Sequence, residues 1–202
     1  MDYVGQLAKA PATDDEVRAR WLHETLPMLW LEEYRASANR VINVMKVEAG
    51  GFCFGFDLVA ELIALGELAV EPEPDDRTVF AWGRSRVPPA GRKHEDARLR
   101  GWPVAPEHRA EDRWDRGHFI GHSFGGVIDR AELNVFRQLR VVNRGWSPAG
   151  KRYRSMEKCA AATPGSFVFS RPVYEDHTAY PAKLEFGVLT ADGLWVEEFS
   201  NV

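Results

Sequence analysis

The stretch "DRGHFIGHSFGG", Asp115–Gly126, decides how this chain is read, because two catalytic patterns overlap in it. Its right half, "GHSFGG", spells G-x-S-x-G, a nucleophile elbow in which Ser123 would be presented at the tip of a strand. Its left half, "DRGH", ends in His118, whose imidazole changes charge near neutral pH and suits a general base. The neighbouring residues separate the two readings.

An elbow needs an apolar strand running into it, since buried parallel strands are nearly continuous in Val, Ile and Leu. The ten residues before Gly121 are "EDRWDRGHFI", and six of them are charged or histidine. An acid and then a histidine should follow the serine. Asp129 and His177, the one histidine after Ser123, would have to serve. Alternating strand–helix units should precede the elbow, whereas mostly helical sequence does. A serine hydrolase of the α/β-hydrolase type is therefore the second reading.

The left half fits another chemistry. Breaking a phosphodiester requires a base for water, a cation on the non-bridging oxygens and help for the leaving oxygen. His118 can be the base, and Arg116 can pair with phosphate. Asp115 can orient His118 or its loop. Mg²⁺ keeps several of its waters and needs few protein oxygens, so an amide oxygen such as that of Asn143 suffices. On a strand, His118, Ile120 and His122 would share one face, which gives His122 a supporting or substrate-contacting place. Zinc would need a third ligand that the sequence does not offer nearby. Trp146 and Tyr153 could stack on bases, with core packing the plainer expectation.

Downstream of "DRGH" stand "ELNVFRQLRVVNRGW" and "SMEK". With these, residues of about 112–190 resemble the DNA/RNA non-specific endonucleases, the DRGH-motif ββα-metal or His-Me finger nucleases. The matching positions are Asp115-Arg116-Gly117-His118, Asn134 with Gln138, Asn143, and Glu157. The tail "SFVFSRPVYED…YPAKLEFGVL" is similar to the family's closing strands, with Arg171 where a glycine is common. The resemblance implies His118 as general base, Asn143 as the direct Mg²⁺ ligand (Mn²⁺ as a substitute), Glu157 in the metal's water shell and 5′-phosphate products. It departs from the family between Asn143 and Glu157, where "SPAGKRYR" intervenes in place of about two helical turns. An arginine usually follows the Glu. Here Arg154, one turn before Glu157, is the substitute for stabilising the transition state. Asn134 and Gln138 are expected to support the loop.

Charge supports a polyanion partner. The net charge is −4, yet residues 1–76 hold 6 Lys/Arg against 15 Asp/Glu, and residues 77–158 hold 18 against 9. Arg137, Arg140 and Arg144 lie in this basic block and are expected to hold a nucleic-acid backbone. A module that binds nucleic acid on an inactive nuclease fold would show the same charge, and stands as a further alternative.

The remaining expectations concern organisation. Hydrophobic residues make up 45% and charged residues 28%, as in soluble domains, and no apolar run is long enough to span a membrane. Two cysteines, Cys53 and Cys159, argue against a disulfide scaffold or a cysteine zinc site. The start, "MDYVGQLAKAPATDDE", lacks the features of a secretory signal, so a cytoplasmic origin is expected. A non-specific nuclease would endanger its own cell. This suggests a toxin or effector, with an inhibitor or a delivery machine as partner. The oligomeric state is not legible.

The spacing predicts helix over 13–46, with Thr13 and Glu16 as a capping box and a kink at Pro27, then a second helix in "DLVAELIALG" capped by Asp57. "VEPEPDD", 70–76, is the predicted boundary and 84–113 a long loop. Strands are predicted at "RTVFAW", "QLRVV" (138–142), "SFVFS", "KLEFGVLT" and "LWVEEF", with helix at 150–161. The expected fold is α+β: an acidic helical region, 1–76, then a ββα-metal nuclease domain with an antiparallel sheet, 77–202.

Overall fold

A computed structural model describes residues 1–38, 40–67, 75–88, 113–127 and 131–202. It is α+β and its strand pairs are antiparallel throughout. Six strands form one sheet in the order β1 (Val44–Ala49), β2 (Phe52–Asp57), β3 (Arg77–Arg84), β6 (Phe167–Val173), β7 (Lys183–Thr190), β8 (Gly193–Ser200). A separate hairpin pairs β4 (Trp114–His118) with β5 (Val135–Leu139). Helices α1 (Tyr3–Ala8) and α2 (Asp15–Ser37) precede the sheet, and α3 (Val59–Ala64) follows β2. The short turns α4 (Ala131–Asn134) and α5 (Arg140–Asn143) flank β5, and α6 (Pro148–Ala162) leads into β6.

The sheet is covered on both faces, which explains why "FCFGFD", "RTVFAWGR" and "SFVFS" read as continuous apolar runs rather than alternating ones. On one face Leu22, Leu26 and Trp30 of α2 pack on Phe80, Trp82, Phe167 and Phe169. Trp30 is fully buried, with its ring centroid 4.8 Å from that of Phe169. On the other face Phe52, Phe54, Phe186 and Val188 meet Phe119 and Phe136 of the hairpin segment and Tyr153 and Met156 of α6. The hairpin and α6 thus rest on one side of the sheet and α2 on the other.

Several expectations change. Helix α2 ends at Ser37, short of the predicted 46, and residues 44–46 belong instead to β1, which pairs with β2 and so extends the sheet of β3. Gly50 and Gly51, with φ of 57° and 75°, make the tight turn between them, a conformation open to glycine and strained for most residues. The cap of α2 is Asp14, whose carboxylate accepts from the N–H groups of Glu16 and Val17, rather than Thr13. The helix continues through Pro27, held by Leu26 and Trp30 in the core. Asp57 caps nothing. It ends β2, fully buried, and accepts from the Tyr34 hydroxyl at 2.7 Å and the Asn43 N–H at 2.7 Å, with Arg40 at 3.2 Å. Strand β5 begins at Val135 rather than at Gln138, and Arg140–Asn143 is a helical turn. The connector at 70–76, apart from Asp75 and Asp76, and most of the loop at 84–113 lie outside the described residues. Among the described residues no helix is long and apolar enough to cross a membrane.

Arg40 is 1% exposed beside Asp57, so removing the carboxylate strands a buried cation. Asp57→Ala is expected to cost about 3–5 kcal/mol of stability. Urea unfolding would show it, and a loss under about 1 kcal/mol would contradict the burial argument.

Candidate active site

The hairpin, α5 and α6 bring most of the expected site residues into one neighbourhood. β4 carries Asp115 and Gly117 on one face and Arg116 and His118 on the other, by strand alternation. Gln138 is buried over Gly117. A Cβ on that glycine would lie 2.2 Å from the Gln138 Oε1, so only glycine fits there. At the end of β5 the chain turns at once into α5, which places Arg140, Asn143 and Arg144 beside Asp115.

Asp115 is the hub. Its Oδ1 accepts from Arg140 Nε at 3.1 Å and Arg144 Nη2 at 2.9 Å. Its Oδ2 accepts from Arg144 Nε at 2.7 Å and Asn143 Nδ2 at 3.1 Å. Burial works to raise this carboxyl, but the hydrogen bonds from Arg144 and Asn143 outweigh it and hold the group below the usual carboxylate range. An ionised carboxylate only accepts, so it must face the NH₂ end of the Asn143 amide. The Asn143 carbonyl oxygen is therefore turned away from Asp115. Asp115 orients Asn143, not His118 as the sequence suggested.

Helix α6 closes the neighbourhood. Ser147 caps it by accepting from the Gly150 N–H at 3.0 Å, and Pro148 stands in its first turn. Gly150 packs so closely that an added Cβ would lie 2.4 Å from the Val141 carbonyl oxygen. Three side chains of α6 then reach three parts of the site. The Tyr153 hydroxyl lies 3.5 Å from the His118 carbonyl oxygen. The Arg154 stem lies against Gly145. Glu157 lies beside Gly121, where a Cβ would approach its Oε1 to 2.8 Å. Arg154 donates to Glu157 at 2.7 Å. Glu157 is buried, and that burial raises its carboxyl above the ordinary value, with Arg154 opposing.

The outer face of α6 forms a groove of about 630 Å³ lined by Arg144, Lys151, Arg154, Lys158, Glu157 and Ser123. Four of its nine lining residues are cationic. His118 is half-buried at the end of β4, where the chain bends. Arg116 is exposed. Arg137, expected to contact substrate, is instead half-buried, its guanidinium 4.2 Å from the Trp114 ring centroid and 3.9 Å from that of Tyr180. His122 is not on the strand with His118. It opens a 3₁₀ turn, His122–Phe124. Asn134 holds the loop between them, accepting from the Ile120 N–H at 2.8 Å and donating to the carbonyls of Ile120 and Val127. Tyr153 is core, whereas Trp146 is 62% exposed. Ser123 is exposed on the 3₁₀ turn, with antiparallel strands around it. A nucleophile elbow requires a parallel strand–turn–helix unit, which the described strands do not form.

Among the described residues no group of three His, Cys, Asp or Glu side chains could cage a metal. One pre-oriented amide oxygen does suit a hard cation that retains most of its water.

No family model matches the sequence and no curated protein matches it. Among solved structures the chain is similar to one described as "Structure of Sda1 nuclease with bound zinc ion". Identity is 15%, the TM-score is 0.38, and the likeness covers 85% of this chain and 81% of that one.

A carboxyl raised by folding stabilises below its unfolded pKa and loses that contribution as pH climbs through its folded value. Stability should thus fall, through Glu157, as pH rises above about 4.3. Compared with the parent protein, Glu157→Gln should gain ground steadily over that range in urea unfolding. A difference that does not change with pH would show that Glu157 is not shifted.

Proposed function

We propose that the chain is a metal-dependent nuclease of the ββα-metal type, acting on DNA or RNA without sequence preference. In this reading β4 and β5 are the two strands of the core and α5–α6 its helical part. The observation that carries it is the clamp of Asp115 on the Asn143 amide, which presents one oriented carbonyl oxygen beside a groove of cations. Such an amide oxygen suits a hard cation that keeps most of its water.

The chain's own groups then divide the work. Arg144, Lys151, Arg154 and Lys158 draw in the phosphate backbone. His118 takes the proton of the attacking water as its oxygen bonds to phosphorus, the P–O3′ bond breaks, and the departing 3′ oxygen takes its proton from solvent. Arg154, tethered by Glu157, faces charge developing on the phosphate. Asn143 would hold the metal, which when bound would neutralise charge on the phosphate; Mg²⁺ fits the donor, and Mn²⁺ would substitute.

Digestion of plasmid DNA and of RNA, with and without EDTA, tests the reading. Cleavage should require the cation, and His118→Ala should lose at least about 100-fold in rate while still binding DNA. Asp115→Asn should raise the Mg²⁺ concentration needed for half-maximal cleavage by roughly 10- to 100-fold, since it frees the amide to flip. Full activity of His118→Ala, or cleavage indifferent to chelator, would remove the proposal. Ester hydrolysis abolished by Ser123→Ala would favour the serine-hydrolase alternative instead.

A further inference from the structure

Trp146 is the largest apolar side chain exposed among the described residues, at 62%. A single exposed apolar residue needs no explanation by itself. Three further observations set this one apart. It stands three residues after Asn143, at the end of a turn fixed by Gly145 (φ 72°) and by its own N–H donating to the Val141 carbonyl at 2.9 Å. The Arg144 guanidinium lies 5.1 Å from its ring centroid. The ring also lines a groove of about 380 Å³ with Val141, Leu139, Arg113 and Arg140.

These contacts form a chain. Asp115 holds both the Asn143 amide and the Arg144 guanidinium, and Arg144 lies over Trp146. The amide and the indole are thereby fixed with respect to each other through one carboxylate. A flat, rigid aromatic surface with arginines around it suits a base whose phosphates are held by those cations. Stacked bases in a duplex have no free face to offer, so such a platform discriminates for unpaired ones. Resting on the nuclease reading above, we infer that Trp146 stacks on an unpaired nucleobase adjacent to the phosphate held at Asn143. The preferred substrate is therefore single-stranded nucleic acid.

The test measures fluorescence anisotropy of the full chain with a labelled single-stranded oligonucleotide of about 12 nucleotides, in EDTA so that nothing is cut. An abasic strand of the same length is the control. The parent should bind the base-bearing strand more tightly than the abasic one. Trp146→Ala should weaken the first by about 5- to 150-fold, the range of one base–aromatic stack. The loss should disappear on the abasic strand, and Trp146→Phe should restore most of it. Equal affinity of Trp146→Ala and parent for the base-bearing strand would overturn the inference. Equal weakening on both strands would also overturn it, by showing that Trp146 only supports Arg144. A parent that binds neither strand, and cuts no plasmid, would instead take down the nuclease reading itself.

Discussion

The carboxylate of Asp115 determines whether the rest of the site exists. Helix α5 is a single turn, too short to persist without tertiary support. Its position comes from outside. Arg140 and Arg144 at its two ends both close on Asp115, and the Arg140 N–H donates to the Arg113 carbonyl at 2.8 Å. Asp115 is 13% exposed, so its charge is costly unless paired, and each pairing hydrogen bond is worth about 1.5–3 kcal/mol. Two guanidiniums and an amide meet that demand. The same contacts leave an excess of positive charge at the surface and fix which end of Asn143 looks outward.

The hairpin and its helices need a platform, and the acidic N-terminal segment helps build it. β1 and β2 supply strands, and α2 covers the face that the hairpin does not. The charge imbalance along the sequence is partly spent inside this fold. Glu16 pairs with Arg84 and Glu33 with Arg171, while Asp57 pairs with Arg40 of its own segment. Among the described residues the acids that meet the cations of the α6 groove are Asp115 and Glu157, neither of them from the first 76 residues. The acidic segment thus acts through the sheet, and nothing described places it over the groove.

Much of this was legible in the chain, for reasons that can be named. The apolar runs at 77–82, 166–170 and 183–190 announce buried strands, and the helix expected at 150–161 forms as Pro148–Ala162. What was not legible depends on partners distant in sequence. Asp57 has the look of a helix cap, but Tyr34 and Arg40 make it the centre of a buried polar network. The predicted helix runs to residue 46, yet pairing with β2 makes residues 44–46 strand. The unexpected length between Asn143 and Glu157 resolves into two helices: α5 stops, Gly145 reverses the chain, and α6 begins afresh at Pro148. Glu157 therefore reaches Gly121 from a second helix instead of lying further along the first. Asp115 read as a partner for His118 because they are close in sequence, but three residues along a strand is the opposite face.

The two carboxyls of the site are pushed in opposite directions, and the causes differ in kind. Asp115 meets three donors, two of them cations, and these overcome its partial burial. Glu157 meets one, Arg154, which does not overcome a deeper burial. Environments that drive two acids apart assign them different work. Asp115 is a fixed anion, useful because it does not change: it orients an amide and anchors guanidiniums at any pH near neutrality. Glu157 sits deeper, where burial raises its carboxyl, and its contact to Arg154 is a single hydrogen-bonded ion pair. In the proposed nuclease, a phosphate in the groove would compete with Glu157 for that arginine, which makes this ion pair the exchangeable one of the two, whereas the Asp115 clamp draws on three donors at once.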